Sequence, residues 1–287
     1  MDRLPIPEWG KRTYVMGILN VTPDSFSGDG LMNGDDLVQA AVRLAHQFEE
    51  EGADILDIGG ESTRPGSAYI TPDEERNRVI PVIRALRKET DLILSVDTYK
   101  SEIAAEALDA GADWINDVWA FQADPLMAAL VGSRGCPVVL MHNRSKPSEY
   151  MVREGLGGMY RGAEYQDVIK DVRTELLQRA DEALRAGVQQ NHIILDPGIG
   201  FGKSVEHNLG LINRLDEIRK AGYPILLGPS RKSFIGYTLD LPAEERLEGT
   251  LAAICVGIVR GADIIRVHDV KQAVRVARMT DALVRMG

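Results

Sequence analysis

The chain has 287 residues, a formal net charge of −10 and 44% apolar residues, enough to bury a large core and to exclude a disordered chain. Its acidic balance, with no clustered Lys/Arg run, excludes a nucleic-acid partner held by a basic patch. Apolar stretches such as residues 251–259 fall far short of the roughly 18 residues a membrane span needs, and residues 1–13 are too polar for a signal peptide, so a cytoplasmic protein is expected.

Short apolar runs alternate with longer amphipathic segments eight times along the chain. The expected strands are residues 14–19, 54–58, 92–96, 114–116, 138–141, 193–195, 225–227 and 264–267. They lack strict alternation, as parallel strands buried on both faces do. Between the first two, Leu37, Ala41, Leu44 and Phe48 share one helical face. Thr71-Pro72-Asp73-Glu74 reads as a helix start, with Thr71 as cap and Glu74 completing a capping box. Leu211, Leu215 and Ile218 form a later helical face. Gly-Ala-Asp recurs at 52–54, 111–113 and 261–263, each time leading into a strand. The Gly permits the left-handed conformation that ends a helix. Eight βα units over residues 1–287 predict one domain of the α/β class, an eight-fold β/α (TIM) barrel. A doubly wound open sheet is the alternative. It is disfavoured because Asn20-Val21-Thr22-Pro23 after the first strand is not a Gly-rich dinucleotide turn. Residues 142–165 break the rhythm as a long, polar, Gly-containing segment that reads equally as a functional loop or a surface insertion. Cys136 and Cys255 lie in apolar contexts without CxxC spacing and read as buried free thiols in a reducing compartment.

Active sites of such barrels lie at the C-terminal ends of the strands. Those ends carry Asn20, the run Glu61 to Gly66, Asp97, Asn116-Asp117, Met141-His142, Asp196-Pro197-Gly198, Ser230-Arg231-Lys232-Ser233, and Arg266 with His268. Caps and loop charges account for one or two such residues, not for eight. The cations Arg64, Lys232 and Arg266, with His268, suit a phosphate-bearing ligand. Asp97, Asp196 and Asn116 suit a flat heterocycle with donor and acceptor edges. No nucleophile triad and no zinc-type cluster stands out, whereas Asn20 suits a loosely held Mg²⁺ that also binds substrate phosphates. Asp117 reads as a local structural carboxylate, and His46, His192 and His207 need no functional account.

Residues 17–27, Gly-Ile-Leu-Asn-Val-Thr-Pro-Asp-Ser-Phe-Ser, and residues 57–66, Asp-Ile-Gly-Gly-Glu-Ser-Thr-Arg-Pro-Gly, resemble the two leading signatures of the dihydropteroate synthase family. Ser95-Val96-Asp97-Thr98, Asn116-Asp117-Val118, the run Asp196 to Lys203, Ser230 to Ser233 and Arg266 to Asp269 follow in that family's order. The resemblance runs from about residue 14 to the C-terminus. It departs in the first loop, where Gly28-Asp29-Gly30 stands in place of the family's Asp-Gly-Gly and leaves the role of Asp29 open.

The resemblance implies condensation of a 6-hydroxymethyl-7,8-dihydropterin pyrophosphate with p-aminobenzoate, with Mg²⁺ as cofactor and a homodimer as the assembly. It implies that Asp196 receives the pterin amino edge, Asn116 another ring edge, and Lys232 the carbonyl side. Arg266 lies over the ring and touches phosphate, Asn20 holds the metal, and Arg64 and His268 stabilise the leaving group. Asp97 stabilises the cationic methylene left when pyrophosphate departs. Thr63, Pro65, Phe201 and Lys232 frame the aminobenzoate, Ser233 receives its carboxylate, and Met141 lines the pocket. Two other readings stay open: a pterin-dependent methyltransferase on the same barrel, and a pterin-binding protein without catalysis.

Overall fold

The computed structural model describes residues 6–22, 34–61, 69–146, 150–153, 156–160 and 163–285. Eight parallel strands form one sheet: β1 (Tyr14–Asn20), β2 (Ile55–Gly59), β3 (Ile93–Asp97), β4 (Trp114–Asp117), β5 (Val138–Met141), β8 (Ile193–Asp196), β9 (Leu226–Leu227) and β10 (Ile264–Val267). Their order is β8-β5-β4-β3-β2-β1-β10-β9, and a parallel bridge from Leu195 to Ile225 brings the two edges together. The expected strands thus agree with those found to within a residue or so at most ends, and the open-sheet alternative is set aside.

Helices α1 (Gly34–Glu51), α2 (Pro72–Glu89), α3 (Ser101–Ala110), α4 (Met127–Arg134), α5 (Val168–Arg185), α6 (Val205–Asn213), α7 (Leu215–Arg219), α8 (Ser233–Leu239), α9 (Leu247–Val259) and α10 (Val270–Val284) lie between and after the strands. Thr71 caps α2 in a complete capping box with Glu74, and Pro72 opens the helix. Outward-facing strand residues such as Leu56, Val96, Leu140 and Leu195 pack against Ala41, Ile83, Leu176 and Ile212 of the helices in one continuous core.

The Gly-Ala-Asp triplets do more than end helices. Gly52, Gly111 and Gly261 take φ of 95°, 114° and 98°, the left-handed region that Gly enters without steric cost. Each following Asp then accepts from the N–H of a residue in or next to a neighbouring strand: Asp54 from Val15, Asp113 from Leu94, Asp263 from Ile225, all at 2.9 Å. Each also pairs with an arginine, Arg12, Arg87 and Arg219 in turn. These carboxylates stitch the N-terminal rim of the barrel, where a role in stability is expected. Replacing the buried Asp263 with Ala leaves the Ile225 N–H without its acceptor and takes from Arg219 its carboxylate partner, at a cost of about 1–3 kcal/mol. The expected result is a melting temperature several degrees lower, with turnover at 25 °C unchanged.

Part of the segment from 142 to 165 is regular. Strands β6 (Tyr150–Arg153) and β7 (Gly157–Tyr160) pair as an antiparallel hairpin, a feature that its Gly-rich polarity conceals in the sequence. Among the described residues no helix is long and apolar enough to cross a membrane.

Candidate active site

Side chains alternate in and out along a strand, so residues two apart stack as successive rings inside the barrel. The bottom ring is apolar: Met16, Ile55, Ile93, Trp114, Val139, Ile194, Leu226 and Ile264 pack together, one from each strand. Two residues further along, the same phase gives Ile18, Asp57, Ser95, Asn116, Met141, Asp196, Gly228 and Arg266. Two more give Asn20, Gly59, Asp97, Val118, Asn143, Gly198, Ser230 and His268. The fold therefore stands a polar mouth on a dry plug.

Within the mouth, Arg266 bridges two carboxylates. Its Nε donates to Asp57 Oδ2 at 2.6 Å and its Nη2 to Asp97 Oδ2 at 2.7 Å. Asn116 Nδ2 donates to the same Asp57 oxygen at 2.9 Å. Asp57 is fully buried, and Asp97, Asn116 and Asp196 are nearly so. Register sets these neighbours side by side, with Asp97 opposite both Gly59 and Asn116, and Met141 opposite Asp196. A Cβ on Gly59 would meet the Asp97 side chain at 3.4 Å, so the small residue keeps that carboxylate uncrowded. Burial pushes the Asp97 carboxyl up to about 7 against the pull of Arg266. Its Oδ1 is buried without a hydrogen-bond partner, as is Oδ1 of Asp57. Buried unpaired acceptors are costly and call for a ligand or water to satisfy them.

Asp196 closes the opposite wall. Its Oδ1 accepts from Gly198 N–H at 2.7 Å, and burial raises its pKa while Lys232 opposes the rise. Lys232 donates to the Ile199 carbonyl, and its ammonium lies 4.6 Å from the centre of the Phe201 ring. Burial pulls its pKa down to about 8, with Asp196 resisting. Ser233 opens α8. Across the mouth, Nδ1 of His268 lies 3.0 Å from Ser230 Oγ. Asn20, at the end of β1, lines a hollow of about 420 Å³ with His268, Asp269 and Gln47. Among the described residues no cluster of three His, Cys, Asp or Glu could hold a metal. The Asn20 carboxamide oxygen, together with oxygens of a substrate, would make a donor set that fits Mg²⁺.

The structure thus gathers Asn20, Asp97, Asn116, Met141, Asp196, Phe201, Lys232, Ser233, Arg266 and His268 at one end of the barrel. Thr63, Arg64 and Pro65, and the first-loop residues around Phe26 and Asp29, lie outside the described residues. Asp117 is structural, accepting from Trp119 and Phe121 N–H at 2.8 and 2.7 Å. Cys136 is a buried free thiol as expected, whereas Cys255 is free but only partly buried.

Two groups escape a reading of strand ends. Asp57 sits one ring below the rim, and its signal is phase: it follows Ile55 by two. Lys203 sits behind the loop after β8. Nearly fully buried, it donates to the carbonyls of Gly198 and Phe201, each at 2.9 Å, and to His142 Nδ1 at 3.0 Å. Burial brings Lys203 down to about 7, and His142, buried beside it, down to about 4. His142 is therefore neutral and presents Nε2 to Glu175 at 3.0 Å. A separate hollow of about 940 Å³ lies against α5, lined by Arg144, Tyr165, Glu175 and His207.

A β/α barrel with a mixed carboxylate, amide and cation mouth belongs to the class of small-molecule enzymes that read a flat polar ring. Comparison narrows the class. Residues 16–268 match the family model of pterin binding enzymes. The dihydropteroate synthase of Bacillus subtilis (strain 168) is 48% identical over 277 residues, 96% of this chain and 90% of that one. A dihydropteroate synthase from Clostridium difficile, solved in the presence of pteroic acid, superposes with a TM-score of 0.88 at 45% identity, covering 97% of this chain and 99% of that one. The Xanthomonas albilineans enzyme with 4-aminobenzoic acid gives 0.85 at 41%, covering 95% and 93%. The chain belongs to the dihydropteroate synthase family of pterin-binding enzymes.

Proposed function

We propose that this chain condenses 6-hydroxymethyl-7,8-dihydropterin pyrophosphate with p-aminobenzoate, giving 7,8-dihydropteroate and pyrophosphate. The observation that carries the proposal is the hydrogen-bonded chain Asn116–Asp57–Arg266–Asp97, with Asp196 and Lys232 in the same barrel mouth.

In this reading Asp196 accepts from the pterin amino group and its neighbouring ring N–H. Asn116, with its amide nitrogen committed to Asp57, turns its oxygen to another ring donor. Lys232 meets the ring carbonyl and, beside Phe201, borders the aminobenzoate. Arg266 lies at the ring, and His268 and Arg64 take the pyrophosphate. Asn20, with oxygens of the substrate, would hold Mg²⁺, which would supply positive charge to the leaving group. As the C–O bond to pyrophosphate breaks, positive charge grows on the pterin methylene. The Asp97 carboxylate stands ready for it in a dry site, where a fixed charge is worth more than in water. The aminobenzoate amine then attacks, flanked by Thr63 and Phe201, with its carboxylate at Ser233. No protein nucleophile is needed.

The direct test incubates the protein with both substrates and Mg²⁺ and identifies the product by mass. Dihydropteroate with one pyrophosphate per molecule is expected; no C–N product would remove the proposal.

The pH profile follows from the site. Asp97 acts ionised, so kcat/KM is expected to fall as pH drops through about 7. Lys232 acts charged, so kcat/KM is expected to fall again above about 8. Lys232→Arg cannot lose its proton in this range and should abolish the alkaline limb while sparing the acid one.

We further infer a homodimer. Val256 and Val259 of α9 and Met279 and Leu283 of α10 are exposed on two helices packed side by side. An apolar surface of this kind suits a second copy. Sedimentation at the mass of one chain would refute it. Free Cys136 and Cys255 fit a reducing, cytoplasmic compartment.

A further inference from the structure

Arg231 is a non-glycine residue with φ of +54°, in the left-handed region that L side chains rarely adopt. It stands directly before Lys232 and Ser233, the turn from β9 into α8. Such a conformation persists only where its surroundings over-determine it. Three contacts do so here. Thr250 Oγ1 accepts from Arg231 N–H at 3.0 Å, Arg246 Nη1 donates to the Arg231 carbonyl at 3.1 Å, and the Arg231 guanidinium pairs with Asp269 at 2.9 and 2.5 Å.

Arg246 is itself unusual. Only 4% exposed, it spends its donors on main-chain carbonyls: Arg231, Leu241 at 3.0 Å, and Leu156 at 2.9 Å. Among the described residues no carboxylate forms an ion pair with it. Leu156 lies at the turn of the β6–β7 hairpin, so the guanidinium also ties that hairpin to the turn. It passes flush against α8, where a Cβ on Gly236 would lie 2.1 Å from Nη2. Burying a cation is expensive, and here its side-chain donors go to main-chain carbonyls: that of Arg231 directly before Lys232, that of Leu241 just past α8, and that of Leu156 in the hairpin.

We propose that Arg246 and Thr250 are positioning residues that hold Arg231 in its left-handed conformation and so aim Lys232 and Ser233 into the aminobenzoate end of the site. With an ordinary φ at 231 the following peptide plane rotates, and Lys232 leaves the Ile199 carbonyl and the Phe201 ring. The functional consequence rests on the reaction proposed above. The backbone consequence does not.

The test is a double-mutant cycle. Thr250→Val keeps the buried volume but removes the acceptor, and Arg246→Met removes the donor. Each is made with Arg231 in place and in an Arg231→Gly background, where a positive φ needs no support. With Arg231 present, KM for p-aminobenzoate is expected to rise about tenfold or more while kcat stays within about threefold. In the Arg231→Gly background the same substitution is expected to raise KM by less than about threefold. Equal rises in both backgrounds, or no rise in either, would overturn the proposal. If Arg246→Met does not fold, Thr250→Val carries the cycle alone. If the unsubstituted protein makes no dihydropteroate, the functional reading fails separately. Melting temperature then decides the backbone part: the loss caused by Thr250→Val must shrink when residue 231 is Gly, and an equal loss in both backgrounds refutes it.

Discussion

Asp196→Asn is expected to weaken pterin binding by about a thousandfold or more, about 4 kcal/mol, with the fold intact. The carboxylate is nearly buried at the end of β8 and has one oxygen engaged by Gly198. A ring edge with two donors needs two acceptors. An amide offers one acceptor and turns an NH₂ toward a donor, and a site built for a hydrogen bond rejects the mismatch strongly. Lys232, in the field of Asp196, would lose a counter-charge as well. Calorimetry with an inert pterin reads the effect. Affinity within a few-fold of the unsubstituted protein would remove Asp196 from the ring edge.

Asp97→Asn is expected to act on a different quantity. The Arg266 contact and the shape of the mouth survive, because an amide oxygen can still accept from Nη2. The charge does not survive. Cation stabilisation operates in the transition state, so kcat is expected to fall about 100- to 1000-fold. Pterin affinity is expected to stay within about threefold. The acid limb of the pH profile is expected to vanish with the carboxyl that causes it. A large loss of affinity with kcat unchanged would make Asp97 an ordinary binding residue.

Much of this site was legible in the sequence because a barrel forces function to strand ends. The short apolar runs located those ends to within about a residue, and Asn20, Asp97, Asn116, Asp196 and Arg266 followed. Asp57 is hidden in the sequence for a physical reason. It lies inside β2, in a run that reads as core, and only the inward phase starting at Ile55 marks it as a mouth residue. Lys203 is hidden because a lysine after a Gly-rich loop ordinarily faces water. Its burial depends not only on the nearby carbonyls of Gly198 and Phe201 but also on His142 at the end of β5, 61 residues away, a non-local fact. The same holds for Arg231, whose sign of φ is set by Thr250 and Arg246 from the next helix region. The β6–β7 hairpin is carried by tertiary docking to Tyr237 and Arg246 rather than by strand propensity. The Gly-Ala-Asp triplets were readable as helix ends from Gly alone. Their aspartates needed the neighbouring strand to acquire meaning.

The proposed chemistry depends on where the pterin sits. A crystal structure with a dihydropterin and pyrophosphate bound is the most direct measurement. The expected result places the ring above the plug of Met16, Trp114 and Ile194, its amino edge on Asp196 and another edge on Asn116, with pyrophosphate toward His268 and Asn20. A pterin seated instead in the hollow against α5, beside Arg144, Tyr165 and Glu175, with nothing in the barrel mouth, would contradict it.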